Sequence, residues 1–183
     1  MFPEFKGFPK IARLAREIIV TEKIDGTNGV VYIDDDGMIL PGSRTQWLID
    51  SDNHGFRKWV EENSEELSKL GPGSHFGEWW GSGIQRGYGL PKGEKRFSLF
   101  NTSRWTDDAV RPTCCHVVPI LYTGIFTTYF IEDALTQLKE TGSRAAPGFM
   151  KPEGVVIFHP QGNVGFKKTI EKDEEYKGKQ KAA

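Results

Sequence analysis

The feature that most limits how this chain can fold is the brevity of its apolar runs. From residue 17 it reads EIIVTEKI, DGTNG, VVYIDD, DG, MILPGS, so each run is stopped within a few residues by a turn that carries glycine. Runs of that length read as strands, and the two flanking DGTNG read as strands joined by a turn. Further on, SHFGEWWG reads as a strand ending in glycine, and RFSLFNTSRW and CCHVVPILYTG as further strands. EGVVIFHPQGNVGFKKTI reads as a strand, a turn and a strand. Helical spacing appears in three places. Residues 9–17, PKIARLARE, predict a short amphipathic helix. NHGFRKWVEENSEELSKL predicts a helix with Phe56, Trp59, Val60, Leu67 and Leu70 on one face, stopped by GPG. TTYFIEDALTQLKETGS predicts another, capped by Thr127 or Thr128. There is no internal repeat and no regular strand–helix–strand alternation, which points to an α+β fold with mainly antiparallel sheet.

Composition removes several function classes. No apolar stretch nears the ~18 residues of a membrane span, and the N-terminus has no signal-type hydrophobic block. The only cysteines, Cys114 and Cys115, are neighbours, which suits neither a disulfide nor a zinc pair. The expectation is a cytoplasmic protein with no membrane partner. A net charge of −1 argues against a uniformly basic nucleic-acid binder, but 24 Lys and Arg leave room for a local basic groove. At 183 residues the chain is expected to hold one domain over 1–170, followed by a charged, flexible tail over 171–183.

The segment EKIDGTNG places Lys23 between Glu22 and Asp25, against a glycine turn. A lysine nucleophile must lose its proton, and a nearby carboxylate opposes that. Glu22 and Asp25 therefore make better sense as binders of a base, a ribose or a metal ion than as activators of Lys23. The plainer reading is a surface hairpin with a solvated lysine.

The remaining segments decide between the two. EKIDGTN resembles motif I, Lys-x-Asp/His-Gly, of the covalent nucleotidyltransferases: DNA ligases, RNA ligases and mRNA capping enzymes. The later motifs follow in the family's order. GSR, with Ser43 and Arg44, resembles motif Ia, and FGEWW, with Glu78, resembles motif III. FSLFN, with Phe100 and Asn101, resembles motif IIIa; EGVVI, with Glu153, resembles motif IV; GFKKT resembles motif V. Taken singly, Phe100 reads as a core residue and Arg44 as an ordinary loop residue; the order of all six motifs is what carries the resemblance. Gly-Thr-Asn after Lys-x-Asp is most similar to the RNA ligase 2 branch, and DNA ligases usually carry arginine where this chain has Asn28.

The resemblance implies the nucleotidyltransferase (ATP-grasp-like) core of two mainly antiparallel sheets flanked by helices. It also implies an ATP-dependent RNA ligase: Lys23 attacks the α-phosphate of ATP, the resulting lysyl-AMP passes AMP to a 5′-phosphate, and a 3′-hydroxyl completes the join. Glu153 would hold Mg²⁺ or Mn²⁺, with Asp25 as a second candidate. Arg44 would contact ribose or phosphate, Glu78 the ribose hydroxyls, and Phe100 would stack on adenine. Glu22 lies where this branch reads the adenine amino group, and Asn28 would contact ribose or phosphates. Ile24 and Gly26 belong to the same nucleotide-contacting segment.

Family members often carry Lys-x-Lys in motif V, where this chain has Gly165-Phe166-Lys167-Lys168. Lys167 is the preferred phosphate-binding lysine, with Phe166 in the apolar position before it and Lys168 on the opposite face; either lysine remains a candidate nucleotide contact. About a dozen residues follow motif V, so neither the OB domain of DNA ligases nor the helical domain of the RNA ligase 2 branch is expected. RNA ends, in a nicked duplex or single-stranded, would then be gripped by the core or a partner chain. Candidates are Arg86, Lys92, Lys95, Arg96, Arg104 and Arg111, beside Tyr88 and Trp105. The competing readings are a nucleotide- or RNA-end-binding module that does not complete ligation, a minimal DNA ligase, and a capping-type guanylyltransferase.

Overall fold

The strands on either side of DGTNG do not pair with each other. In the computed structural model, which describes residues 2–173, they enter different sheets. The strands are β1 (Glu17–Lys23), β2 (Thr27–Ile33), β3 (Ile39–Gly42), β4 (Gly73–Gly81), β5 (Lys95–Leu99), β6 (Cys115–Val117), β7 (Ile120–Ile125), β8 (Gly154–His159) and β9 (Val164–Thr169). One sheet has the order β7-β1-β8-β9 and is antiparallel throughout. The other has the order β3-β2-β4-β5-β6 and is antiparallel except for the β5–β6 pair. The helices are α1 (Phe56–Glu62), α2 (Ser64–Leu67), α3 (Thr102–Trp105) and α4 (Thr128–Thr141). The fold is the expected α+β arrangement of two mainly antiparallel sheets flanked by helices.

Each sheet has its own core. α4 is capped by the Thr127 hydroxyl, which accepts from the Tyr129 amide at 3.1 Å. It lays Ile131, Ala134, Leu135 and Leu138 on Ile18, Val20, Val155 and Ile157 of the first sheet. That spacing is one helical face, and each fully buried side chain contributes roughly 1.5–3 kcal/mol. Under the second sheet, Phe56, Val60, Leu67 and Leu70 meet Val31, Trp79 and Phe97.

The chain crosses between the sheets twice, through Ile24–Gly26 and through Val118–Pro119. CCHVVPILYTG is therefore two strands, β6 and β7, in different sheets. Pro119 lacks an amide donor and sits where the change of sheet occurs; its carbonyl accepts from the Glu22 amide at 2.9 Å. Ile24 and Val118, one from each crossing, pack together with Trp80, Tyr88 and Ala146. An apolar plug thus fixes how the chain passes from sheet to sheet.

Two predicted helices differ in the structure. Residues 9–16 form no helix, and Glu17 already belongs to β1. Ile11 and Leu14 are exposed, and a short helix with no face to bury is marginal in water. The helix over residues 56–70 is broken: Asn63 leaves helical geometry (φ −112°, ψ 17°), and a 3₁₀ turn (Ser68–Leu70) follows α2. Phe56, Val60, Leu67 and Leu70 remain buried, and Trp59 is half-buried against them. Among the described residues no helix is long and apolar enough to cross a membrane. Most of the expected tail, residues 174–183, lies outside the described residues.

Candidate active site

A cleft of about 1120 Å³ lies between the two sheets. Strand periodicity decides what each sheet shows to it. On β1, Ile19, Thr21 and Lys23 share the cleft face; Glu22 also borders the cleft, but its carboxylate turns to the other side, toward Ser143. The Lys23 ammonium donates to Glu153 Oε2 at 2.6 Å, with the side chains 24% and 14% exposed. β1 and β8 bring them together: Lys23 is opposite Gly154, the residue after Glu153.

β9 separates the two motif V lysines as expected. Lys167 is opposite Val156 and lines the cleft, with no ion-pair partner among the described residues. Lys168 is opposite buried Val155, on the helix face, where it pairs with Glu132 of α4. Phe166 is 56% exposed, so it does not fill an apolar position. It is on β9, the outermost strand of its sheet. Gly165, opposite Phe158, shares the face of Lys167, and a Cβ there would meet nothing closer than 3.9 Å.

The turn between β1 and β2 is tightly held. A Cβ on Gly26 would come within 2.4 Å of the Trp79 carbonyl, so only glycine fits. Its amide donates to Glu78 Oε1 at 3.0 Å, and Asn28 Nδ2 donates to Glu78 Oε2 at 3.3 Å. Burial pushes the Glu78 carboxyl up to about 7; Lys23 and the Gly26 amide oppose the shift, while Glu153 and Asp25 add to it. Arg44 and Phe100 line the same cleft from the second sheet. Phe100 is 41% exposed and so is not a core residue. Arg44 makes no hydrogen bond or ion pair among the described residues.

Two other expected residues, Glu22 and Asp25, border the cleft but are held by protein partners. Both Glu22 carboxylate oxygens are taken: Ser143 Oγ donates at 2.6 Å, and the Arg144 and Ala145 amides donate at 2.8 and 2.9 Å. Burial raises the pKa of Glu22, and these three donors offset part of that rise. Its carboxylate therefore anchors the loop after α4. Asp25 accepts from Arg86 Nε at 3.0 Å, and its amide donates to the Tyr88 hydroxyl at 2.8 Å. Arg86 Nη1 also donates to the carbonyls of Lys151 and Pro152, at 3.0 and 3.5 Å. Arg86 thus ties the Lys23 turn to the segment that presents Glu153. Of the other RNA-gripping candidates, Lys95 donates to the His54 carbonyl, Arg96 pairs with Glu94, and Arg104 donates to the Leu70 carbonyl. Arg111 donates to the Trp105 and Cys115 carbonyls. Tyr88 and Trp105 are buried core aromatics, closed to bases.

Sequence reasoning missed Phe76, which is 56% exposed on the cleft face. Its signal was present: in FGEWW it stands two residues before Glu78 and so shares its face. The Glu22 anchor had no such signal, because Ser143 is 121 residues away.

No group of three or more His, Cys, Asp or Glu among the described residues converges to hold a metal ion. Glu153 is the carboxylate at Lys23, and Asp25 is tied to Arg86. One carboxylate fits a cation that also takes phosphate oxygens and water.

No curated protein matches the chain in a sequence search. Among solved structures it is similar to a variant of Naegleria gruberi RNA ligase with AMP and Mn (21% identity, TM-score 0.63, covering 91% of this chain and 56% of that one). It is also similar to a variant of that ligase with ATP and Mn (20%, TM-score 0.58, 84% and 48%) and to the ligase with PPi (20%, TM-score 0.59, 92% and 57%). The chain thus spans about half the length of the structures it resembles. With a family profile described as RNA ligase matching residues 16–172, the chain belongs to the RNA ligase family.

Proposed function

We propose that this chain is an ATP-dependent RNA ligase core that adenylylates itself on Lys23, passes AMP to a 5′-phosphate RNA end and joins that end to a 3′-hydroxyl. The observation that carries this reading is the 2.6 Å contact between Glu153 and Lys23, which lines the cleft together with Lys167, a lysine with no ion-pair partner among the described residues. The matched ligase structures with ATP, AMP or PPi support it.

In the first step a bond forms between Lys23 Nζ and the α-phosphorus, and the bond to pyrophosphate breaks. Positive charge from Lys167 favours the neutral amine against the pull of Glu153, and as the N–P bond forms Nζ becomes acidic and Glu153 is within hydrogen-bond distance to take the proton it then releases. Lys167 and Arg44 supply cationic charge for phosphate oxygens. Phe100 offers a face for adenine, and Glu78, with Asn28, offers polar contacts for ribose. Glu153 is the residue that would hold Mg²⁺ or Mn²⁺, which would neutralise phosphate charge during transfer. Arg86 positions Asp25 and the Lys151–Pro152 carbonyls. The domain assignment over 1–170 and a cytoplasmic setting are parts of this reading.

Gly165, in place of a first motif V lysine, favours a second reading in which AMP transfer occurs without joining. The test is ATP with a nicked duplex carrying a labelled 5′-phosphate RNA end, read on a denaturing gel. The ligase reading predicts a longer, joined strand. Accumulated adenylylated RNA with no joined product would favour the second reading, and unchanged RNA would refute both. An equal or greater yield on a DNA nick would make the enzyme a minimal DNA ligase.

A further inference from the structure

The N-terminal arm, residues 2–16, precedes nearly all of the family match and is the most exposed apolar segment described. Phe2, Phe5, Phe8 and Ile11 are 98%, 92%, 89% and 89% exposed. Lys6 and Lys10 stand between them and Arg13 and Arg16 follow, against a single acid, Glu4, in a chain whose net charge is −1. The side chains of Lys6, Lys10 and Arg13 have no ion-pair partner among the described residues. The phenylalanines recur every three residues, the repeat of an extended polyproline-type chain, with Pro3 and Pro9 among them.

The base of the arm is fixed. The Leu14 carbonyl contacts His159 Nε2 at 3.2 Å, the Arg13 amide donates to Gln161 Oε1 at 3.3 Å, and the Arg16 carbonyl accepts from the Phe126 amide at 2.8 Å. This anchorage is at the end of β8 where Phe158, 38% exposed, and Ile19 line the cleft. Along β1 it is about 20 Å from Lys23, at roughly 3.3 Å per residue. A strand leaving the cleft past Phe158 would pass the anchored base of the arm.

We propose that residues 2–13 bind single-stranded RNA flanking the end to be joined, with Phe2, Phe5 and Phe8 stacking on bases and Lys6, Lys10 and Arg13 contacting phosphates. Basic and aromatic side chains interleaved on an extended segment are the combination that holds single strands without regard to sequence. Most of the basic residues expected to grip RNA within the core are engaged by protein partners, exposed Lys92 aside, and the arm adds three exposed cations with no ion-pair partner among the described residues. The choice of RNA rests on the ligase reading above.

The test is fluorescence anisotropy of a short, dye-labelled, 5′-phosphorylated single-stranded RNA, without ATP, over a range of salt. Replacing Phe2, Phe5 and Phe8 together by Ala is expected to weaken binding at least about tenfold. Replacing Lys6, Lys10 and Arg13 together by Gln is expected to flatten the log–log salt dependence by about 2. Thermal unfolding checks that both variants are folded. Wild-type affinity and salt slope in both would overturn the proposal. So would unchanged RNA affinity with a change in sedimentation, which would make the arm a protein-binding surface. Labelling of the wild type with α-labelled ATP, measured separately, reports on the ligase reading alone.

Discussion

The sheet β7-β1-β8-β9 presents Lys23 and Lys167 to the cleft, with Glu153 just ahead of β8, whereas β3-β2-β4-β5-β6 presents Asn28, Phe76 and Glu78, with Phe100 at its edge. The first set is charged, and its one close contact, Lys23 with Glu153, joins two groups that each have a use in the proposed reaction. The second set is aromatic and hydrogen-bonding, and its polar members are already bonded to one another through Glu78. In the proposed reading the first sheet handles phosphates and the second the nucleoside. The two sets meet at Ile24–Gly26, where Arg86 and Tyr88 hold the turn.

If that division is right, damage to the first sheet should slow chemistry, and damage to the second should alter nucleotide affinity or stability. The largest effect is expected for Glu153→Ala, which removes the proton acceptor at Lys23 and should slow self-adenylylation about 10²–10⁴-fold. Nucleotide affinity, measured by calorimetry, should change much less. Loss of affinity matching the loss of rate would break the comparison.

Glu78 gives the second-sheet counterpart. Its folded-state pKa, about 7, lies above the ordinary 4.5, so the native state binds the extra proton and stability is lost as pH rises through 7. Glu78→Gln should therefore be more stable than wild type above pH 7, by on the order of 3 kcal/mol, and the curves should converge near pH 4.5. Thermal unfolding across that range checks it; a constant offset would mean that the carboxyl titrates normally.

A smaller effect separates the two adjacent lysines. Lys167→Ala should slow adenylylation about 10–100-fold through loss of a charge-assisted phosphate contact. Lys168→Ala, which breaks a surface pair with Glu132, should leave the rate within about threefold. Equal effects would mean that the face assignment does not govern function. The smallest effect is expected for Gly165→Lys: the site has room for a side chain on the face of Lys167, and ATP should bind a few-fold more tightly.

Much of this was legible in the sequence because it is local. Period two separated Lys167 from Lys168, a cap at Thr127 or Thr128 marked the start of α4, and the order of short motifs marked which residues gather. Pairing was not legible, because three residues between β1 and β2 suit a hairpin as well as a change of sheet, and only distant strands decide. The same holds for Glu22 and Arg86, whose partners are far away in the chain. The predicted helix at 9–17 had the right spacing but no surface to bury against, which spacing alone does not reveal.

The central claim is that Lys23 becomes covalently bonded to AMP. The direct measurement is incubation with α-labelled ATP and Mg²⁺ or Mn²⁺, followed by a denaturing gel of wild type beside Lys23→Ala. The account predicts label that stays with the wild-type chain and is absent from the variant. Unlabelled wild type, shown free of bound AMP and tried also with GTP and NAD, or equal labelling of Lys23→Ala, would contradict it.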